Sequence, residues 1–279
     1  MICLLAASTL ESMTFIYIAL AIAGLLVLHN FMGKPIPFLR WSFIRLGLAG
    51  KTLTTKWQVG DGREADCAKY VLQHAKAGDI EDVIRTIDKY AYQKKFLINV
   101  GDKKGAILDQ AILKAKPKRM LELGCYVGYS ALRSAAKLPK GGHLYSIEFN
   151  PDNANIARRI VAHAGASDRI TIIDGYLGDG GKTLAALRDQ HGFSKDCLDF
   201  VFIDHAKEAY LPDLKTMLRA EWLHPGTIVV ADNVRFPGAP EYKAYMEIEE
   251  GKTWKTVAHD TYAEYQSFIP DVVLESTLI

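Results

Sequence analysis

The strongest constraint on the fold is a regular alternation of short aliphatic runs with amphipathic helical patterns, which begins near Asp61 and lasts until Pro237. Strand–helix alternation over this length is typical of a doubly wound α/β fold with a mostly parallel sheet. Runs such as FVFI and IVVA fit strands that are covered on both faces. The candidate strands are 119–123, 143–148, 170–174, 199–204 and 227–232.

Helical patterns, with apolar residues at i, i+3 and i+4, precede and separate these strands. The candidate helices are 64–74, 80–92, 102–115, 129–137, 153–164, 181–190 and 210–221. Beyond Pro237 the rhythm breaks, and we expect a helix near 241–249 followed by an antiparallel edge pair, 254–258 with 264–269. A chain of 279 residues suits one α/β domain plus an appendage, so we place the domain at 61–279.

The N-terminal segment differs from this pattern. Residues 13–33 contain no Asp, Glu, Lys or Arg, and about 20 apolar residues cross a bilayer as a helix. The basic residues that follow are Lys34, Arg40, Arg45, Lys51 and Lys56, whereas only Glu11 precedes the stretch. The asymmetry predicts a single-pass membrane protein, with an anchor in 1–33, a basic linker at 34–60 and a cytoplasmic domain.

Two features of this segment stay open. A cleaved signal peptide is the alternative to the anchor, although the leading residues lack the basic region that such peptides carry. Residues 36–48 mix aromatics with arginines, and they fit either an interfacial helix or an ordinary linker.

Charge and cysteine content exclude several classes of function. A net charge of +2 gives no basic field for non-specific nucleic-acid binding, so no nucleic-acid partner is expected. The four cysteines are scattered, without the paired spacing of a zinc site or a disulfide framework. No feature of the sequence indicates an obligate protein partner.

The first strand runs into a glycine turn with the pattern Glu122-x-Gly124-x-x-x-Gly128. Dinucleotide sites use G-x-G-x-x-G to seat a pyrophosphate, and a carboxylate beside that group would repel it. The turn therefore favours a positively charged ligand without phosphate, and S-adenosylmethionine has this chemistry. Glu148 ends the second strand, where a carboxylate can accept ribose hydroxyls; a solvated strand-end charge is the alternative.

Acidic and amide side chains follow two later strands. Asp204, Asp232 and Asn233 come at strand ends that meet at one edge of a parallel sheet. Oxygen donors of this kind favour Mg²⁺ over zinc, although strand-end aspartates are also common caps and turn formers. Lys207 follows Asp204 by three residues, and it is either a general base activated by the cation and by burial or a solvated charge.

These motifs, in this order, closely resemble the catechol O-methyltransferase family. The resemblance runs from about Asp61 to near the C-terminus, and its most specific stretches are VLQHAKAGD, NVGDKKG, LELGCYVGYSA, IEFNPD, FIDHAKEAYLPD and ADNVRFPGAP. The family includes forms with an N-terminal membrane anchor. The resemblance implies a class I methyltransferase fold, with a Rossmann-like, seven-stranded sheet that contains one antiparallel strand, and Mg²⁺-dependent methyl transfer from S-adenosylmethionine to a catechol.

The resemblance also implies roles for individual residues. The cofactor-contacting positions are matched by Val100, Glu122, Gly124, Tyr126, Ser130, Glu148, Phe149, Asp204 and His205. The magnesium ligands are matched by Asp204, Asp232 and Asn233, and the catalytic base by Lys207. The substrate-binding positions are matched by Lys207, Asn233, Pro237, Phe96, Ile98 and Glu264, of which Glu264 corresponds to the carboxylate that binds the second hydroxyl.

The departures from the family lie around the expected pockets. Ala206 stands where the family usually has Trp, Phe96 and Ile98 replace a Trp and a Met, and Leu177-Gly178 replace a Ser-Gln pair beside the adenine. Because an indole is a large packing surface, Ala206 leads us to expect a wider pocket that accepts bulkier catechols.

Three other functions compete with this interpretation. A catalytically weak family member that acts as a membrane-associated binding or trafficking partner is the first alternative, although it has no need for the set Asp204, Lys207, Asp232 and Asn233. A nicotinamide-dependent oxidoreductase conflicts with the glycine turn. A nucleic-acid methyltransferase would need a basic stripe and stacking aromatics.

Overall fold

A computed structural model describes residues 2–31, 41–49 and 58–279. The helices are α1 (Ile2–Phe31), α2 (Trp41–Leu48), α3 (Arg63–His74), α4 (Ile80–Gln93), α5 (Gly101–Ala115), α6 (Tyr129–Lys137), α7 (Pro151–His163), α8 (Lys182–His191), α9 (Tyr210–Arg219) and α10 (Pro240–Glu249). The strands are β1 (Arg119–Leu123), β2 (His143–Glu148), β3 (Ile170–Asp174), β4 (Leu198–Ile203), β5 (Leu223–Ala231), β6 (Trp254–Tyr262) and β7 (Pro270–Leu278).

The strands form one seven-stranded sheet in the order β3-β2-β1-β4-β5-β7-β6. β1 to β5 pair in parallel, whereas β7 runs antiparallel to both of its neighbours, β5 and β6. The prediction of a doubly wound, Rossmann-like sheet of seven strands with one antiparallel strand is confirmed.

Two apolar layers cover the two faces of the sheet. Successive β4 residues alternate between them: Phe200 and Phe202 pack under helices α3 to α7, and Val201 and Ile203 pack under α8 to α10. Since side chains alternate along a strand and both faces are covered, the run FVFI is apolar throughout. Burying each such side chain contributes roughly 1.5–3 kcal/mol before the entropy cost.

The register of the sheet brings the predicted site residues to one edge. Leu123 on β1 lies beside Ile147 on β2 and Ile203 on β4, and Ile203 lies beside Ala231 on β5. The residues that follow these strand ends therefore emerge side by side at the carboxyl edge. The strand order reverses between β1 and β4, and ligands bind at this point in open α/β sheets.

The prediction of a strand at 264–269 is wrong. β6 and β7 form the antiparallel pair, and 264–269 is the loop that joins them. Tyr265 has φ +51°, and the Gln266 side chain accepts hydrogen bonds from the backbone N–H groups of Phe268 and Ile269. These side-chain contacts turn the backbone away from the extended conformation, and β7 begins only at Pro270.

The expectation of a single-pass membrane anchor is also wrong. Within the part of the chain that the structure describes, no helix has the length and apolar character needed to cross a membrane. Most of the expected linker, namely 34–40 and 50–57, lies outside the described residues.

Candidate active site

A cavity of about 1060 Å³ opens at the carboxyl edge of the sheet, at the point where the strand order reverses. The predicted site residues that line it are Phe96, Ile98, Gly124, Tyr126, Ser130, Glu148, Phe149, Asp204, His205, Lys207, Asn233, Pro237 and Glu264. Three further predicted residues, Val100, Glu122 and Asp232, are buried behind this lining. Most of the candidates from the sequence pattern and from the family resemblance therefore lie around one cavity.

The glycine turn after β1 requires its glycine at position 124. Gly124 has φ +101°, and a Cβ there would overlap the backbone carbonyl oxygen of Asp204. The turn that follows β1 thus rests directly on the residue that follows β4. Tyr126 also has positive φ (+50°), and its N–H donates to Glu148 Oε2 at 2.7 Å while its hydroxyl donates to Glu64 Oε1 at 2.8 Å.

Glu122 is a fully buried carboxylate with one oxygen to spare. Oε2 accepts a hydrogen bond from the Ser146 hydroxyl, whereas Oε1 has no hydrogen-bond partner among the described residues. Burial raises the pKa of Glu122 to about 7; hydrogen bonds from Ser130 and Ser146 oppose this rise, whereas the carboxylates of Asp204 and Glu148 add to it. Because an unpartnered buried acceptor is costly, Oε1 is suited to a donor or cation supplied by a ligand.

Glu148 is more occupied than the sequence indicated. Its Oε2 accepts from the backbone N–H groups of Cys125 and Tyr126, and its Oε1 accepts from that of Asn150. Burial raises its pKa, and these backbone donors oppose the rise. A carboxylate has about four acceptor sites, so little capacity remains for ribose hydroxyls. Three of these sites are used, so accepting both ribose hydroxyls, as predicted, requires Glu148 to give up one of these bonds.

Lys207 lies on the cavity wall between two of the predicted oxygen ligands. Its Nζ is 3.1 Å from Asp204 Oδ1 and 3.2 Å from Asn233 Oδ1, and it donates to the Tyr210 hydroxyl at 2.6 Å. Its side chain is only 13% exposed. Tyr210 in turn donates to the backbone oxygen of Asp232 at 2.9 Å. The alternative of a solvated lysine does not agree with this position.

Asp232 is buried behind the cavity lining, where it contacts a lysine that the sequence analysis did not single out. Its Oδ2 lies 2.8 Å from Lys104 Nζ, and its Oδ1 accepts from the backbone N–H of Asn233 at 2.7 Å. Burial raises the pKa of Asp232 to about 7, whereas the Lys104 ammonium lowers it. Asp204 and Asn233 thus come together around Lys207, while the third predicted ligand is held from behind.

The charged side chains around Asp232 and Lys207 include more carboxylates than ammonium groups. Within the described residues, no group of three His, Cys, Asp or Glu side chains is arranged to hold a metal. The predicted set, however, contains two carboxylates and an amide. With all groups ionised, four carboxylates face two ammonium groups and leave two negative charges: Asp204, Asp232, Glu264 and Asp271 against Lys104 and Lys207. An excess of this size suits a divalent cation.

The outer wall contains His205, Ala206 and Pro237. His205 Nε2 lies 2.8 Å from Asp213 Oδ2, and its ring stacks on Tyr210 with centroids 5.2 Å apart. Ala206 contributes only a methyl group to the cavity lining, next to Lys207 in the chain. The contacts with Asp213 and Tyr210 hold the His205 ring, which follows β4, in its position on the cavity wall.

The loop that carries Glu264 is tied to α4 through a tyrosine. The Tyr265 hydroxyl donates to Asp88 Oδ1 at 3.1 Å. Burial raises the pKa of Asp88 to about 6, although hydrogen bonds from Tyr129 and Tyr265 oppose this rise. Asp88 is thus in direct contact with the loop whose residues Ala263 and Glu264 line the cavity.

Asp88→Asn is expected to remove a pH dependence of stability between about pH 4 and 6. The pKa of Asp88 is higher in the native state than in the unfolded chain, so the native state binds the proton more tightly. The stability that this proton contributes is lost as pH rises through 6. Above pH 6 the variant should therefore be more stable than the wild type, by at most about 3 kcal/mol. Urea unfolding from pH 4 to 7 measures the difference. The exposed Asp168→Asn is the control, and a difference independent of pH contradicts the prediction.

Sequence reasoning missed Lys104, Asp271 and Tyr210. A signal for Lys104 was present, since it lies four residues before Leu108 on the apolar stripe of the predicted helix, where a lysine is unusual. Asp271 follows residues 264–269, which were wrongly predicted to form a strand, so nothing in the sequence indicated that Asp271 would lie at the site.

Comparison with known proteins agrees with this geometry. The model of the O-methyltransferase family matches residues 75–256. The probable O-methyltransferase Rv1703c of Mycobacterium tuberculosis is 57% identical over 226 residues, which cover 81% of this chain and 96% of that protein. The catechol O-methyltransferase of Bos taurus is 39% identical over 212 residues, covering 76% of this chain and 75% of that protein. The O-methyltransferase structure from Bacillus cereus in complex with SAH has a TM-score of 0.57 at 19% identity, covering 84% and 97% of the two chains.

The strand order, the antiparallel β7 and the glycine turn after β1 define a Rossmann-like class I methyltransferase fold. Within that class, the chain belongs to the O-methyltransferase family, whose model matches more than half of its residues. The expected resemblance is thus confirmed at the level of the family and of an O-methyltransferase enzyme. An oxidoreductase function does not agree with membership of this family.

Proposed function

We propose that this enzyme transfers a methyl group from S-adenosylmethionine to one hydroxyl of a catechol-type acceptor, with Mg²⁺ as cofactor and Lys207 as general base. The observation that supports it best is the position of Lys207 Nζ, between Asp204 and Asn233 on the wall of a cavity that the glycine turn also lines. The 39% identity to a catechol O-methyltransferase supports the acceptor class.

The residues present fit S-adenosylmethionine. The unpartnered Oε1 of Glu122 suits its ammonium group, and the same buried carboxylate beside the glycine turn would repel a pyrophosphate. Phe149 and Tyr176 line the cavity next to Glu148, with ring centroids 5.9 Å apart in an edge-on pair. Both rings are about half exposed, so they offer apolar surface to a flat base.

The residues present also fit Mg²⁺. Asp204, Asp232 and Asn233 would hold it through oxygen atoms, which this cation prefers, and the two excess negative charges of the cluster match its charge. When bound, Mg²⁺ supplies positive charge that acidifies a nearby hydroxyl, and S-adenosylmethionine supplies a methyl group activated by its positive sulfur.

The chain's own residues carry the proton and orient the acceptor. Lys207 accepts a proton only as a neutral amine, so its ammonium group would first release its proton to solvent, which a divalent cation held by Asp204 and Asn233 would favour. Lys207 then takes the proton of the reacting hydroxyl, and the oxygen–carbon bond forms as the carbon–sulfur bond breaks. Glu264 accepts a hydrogen bond from the second hydroxyl, which selects catechols over single phenols. Holding the reactants in line can supply roughly 7–11 kcal/mol of the barrier reduction.

The acceptor is proposed to be bulkier than catechol itself. Ala206 leaves the space beside Lys207 open, and Phe236, which is 46% exposed, extends the apolar rim of the cavity. A substituent on the ring would cover this surface.

Ala206→Trp is therefore expected to lower kcat/KM for a bulky catechol at least tenfold more than for catechol, because an indole would fill the space that the substituent occupies. Initial rates with both acceptors measure the ratio. A wild-type enzyme that strongly prefers the small catechol contradicts this part of the proposal.

The central test is an assay with S-adenosylmethionine and dopamine or catechol, in Mg²⁺ or in EDTA, with methylated product and S-adenosylhomocysteine measured by mass spectrometry. Product in Mg²⁺ alone, and none with phenol, is the expected result. Product in EDTA overturns the metal requirement. Tight binding of S-adenosylhomocysteine without turnover of any acceptor indicates the non-catalytic family member instead.

A further inference from the structure

A buried lysine lies behind the proposed cation site. Lys104 is on the buried face of α5, its side chain is 1% exposed, and its Nζ lies 2.8 Å from Asp232 Oδ2. The same Nζ is 2.5 Å from Glu264 Oε1 and 3.2 Å from Asp271 Oδ2. A buried ion cluster is poor evidence for stabilisation, because apolar residues of equal volume often serve as well. Its three carboxylate contacts point instead to a role in the site.

Asp271 holds the neighbouring amide. It is fully buried, and its Oδ2 accepts from Asn233 Nδ2 at 2.9 Å, while its Oδ1 accepts from the backbone N–H of Phe236 at 2.9 Å. Asn233 Nδ2 also donates to Glu264 Oε1 at 2.8 Å. Both hydrogens of the amide are thereby used, so its Oδ1 has to face the opposite way, towards Lys207 Nζ at 3.2 Å.

The contacts of Lys104 and Asn233 converge on the same two oxygens, Glu264 Oε1 and Asp271 Oδ2. Lys104 therefore keeps the carboxylates of Asp232, Glu264 and Asp271 next to each other without entering the cavity, which it does not line. Without it, four carboxylates would face Lys207 alone. Its ammonium group reduces the repulsion among them and leaves the front of the site for another cation.

We propose that Lys104 and Asp271 are positioning residues, which aim the oxygen donors of Asp232 and Asn233 at a divalent cation and hold Glu264 for the second hydroxyl of the acceptor. This inference rests on the proposed function. It adds a second layer to that site, in which Asp271 sets the direction of the Asn233 amide and Lys104 holds the carboxylates. Partners of this kind typically change metal affinity 10–100-fold.

The test compares Lys104→Met, Lys104→Arg and Asp271→Asn with the wild-type protein. Lys103→Met is the matched control, since it makes the same change one residue away on the exposed side of α5. Mn²⁺ binding is measured by electron paramagnetic resonance, S-adenosylhomocysteine binding by calorimetry, and KM and kcat with a catechol.

Lys104→Met and Asp271→Asn are expected to weaken Mn²⁺ binding 10–100-fold and to raise the KM for the catechol, while S-adenosylhomocysteine affinity stays within about threefold in both and in Lys103→Met. Lys104→Arg, which keeps the charge, should recover part of the Mn²⁺ affinity. Should Lys104→Met fail to fold, the near-isosteric Asp271→Asn decides the question by the same measurements.

Three outcomes overturn the inference. Folded variants that bind Mn²⁺ like the wild type leave the proposed function standing and remove the positioning role. Equal losses of Mn²⁺ and S-adenosylhomocysteine affinity show that the two residues support the fold rather than the cation site. A wild-type protein that binds no Mn²⁺ overturns this inference and the metal requirement of the proposed function together.

Discussion

Lys207→Ala is expected to lower kcat roughly 10²–10⁴-fold, the usual contribution of a general base. The reason is the position of the amine, which lies on the cavity wall within 3.2 Å of both Asp204 Oδ1 and Asn233 Oδ1 and is oriented by the Tyr210 hydroxyl. Initial rates at saturating S-adenosylmethionine and catechol measure the loss. Binding of S-adenosylhomocysteine should change less than about threefold, since no hydrogen bond links Lys207 to the described residues of the glycine turn.

Two further variants separate a base from a simple positive charge. Lys207→Arg keeps the charge but cannot lose its proton at any useful pH, so it should be nearly as inactive as the alanine variant. Lys215→Ala removes an exposed lysine that lies over the ring of Tyr245, as Lys207 lies over the ring of Tyr210, and it should leave kcat unchanged. An active arginine variant would show that Lys207 acts as a countercharge only. Equal losses of turnover and cofactor binding would indicate a damaged fold.

The fold could be predicted because strand polarity carries so much information in an α/β chain. Parallel strands joined by helices place all their carboxyl ends on one edge, so strand-end residues such as Gly124, Asp204 and Asn233 had to lie close together. The register of β1, β2, β4 and β5 confirms this neighbourhood. The roles of these residues are still predictions.

The hydrophobic pattern of the sequence could not predict the direction in which each side chain points. Asp232 and Asn233 are adjacent in the chain, yet the first faces Lys104 and the second contacts Lys207. The left-handed backbone of Asn233, with φ +53°, turns the chain between them. Periodicity carries no information about such a conformation, which depends on hydrogen bonds to residues distant in sequence, such as Asp271.

The loop between β6 and β7 was missed for a related reason. Its Tyr, Phe and Ile residues are typical of strands, but Gln266 forms hydrogen bonds with the nearby backbone and the Tyr265 hydroxyl donates to Asp88. Local side-chain bonds and one long-range contact together override the strand preference. The membrane anchor was inferred from the length of an uncharged stretch and the basic residues that follow it, and no helix of the described residues supports it.

Gly124→Ala is expected to lower the free energy of unfolding by roughly 2–5 kcal/mol, from left-handed strain and from overpacking. Gly124 has φ +101°, and an added Cβ would overlap the carbonyl oxygen of Asp204, which is backbone and cannot rotate away. The turn after β1 and the residue after β4 would have to separate. Binding of S-adenosylhomocysteine and of Mn²⁺ should therefore both weaken by at least tenfold, because one displacement affects both sites.

The matched control for this prediction is Gly226→Ala. Gly226 has nearly the same backbone angle, φ +95°, but a Cβ there would meet no atom within 4 Å. It should show only the cost of the left-handed conformation, about 1–2 kcal/mol, with both ligands bound as in the wild type. The difference between the two variants, from urea unfolding and calorimetry, isolates the contact between Gly124 and Asp204. Gly124→Ala could instead lose no more stability than Gly226→Ala and still bind both ligands. The close approach of the ends of β1 and β4 would then not hold the site together, and the proposed coupling between the cofactor turn and the cation ligands would be wrong.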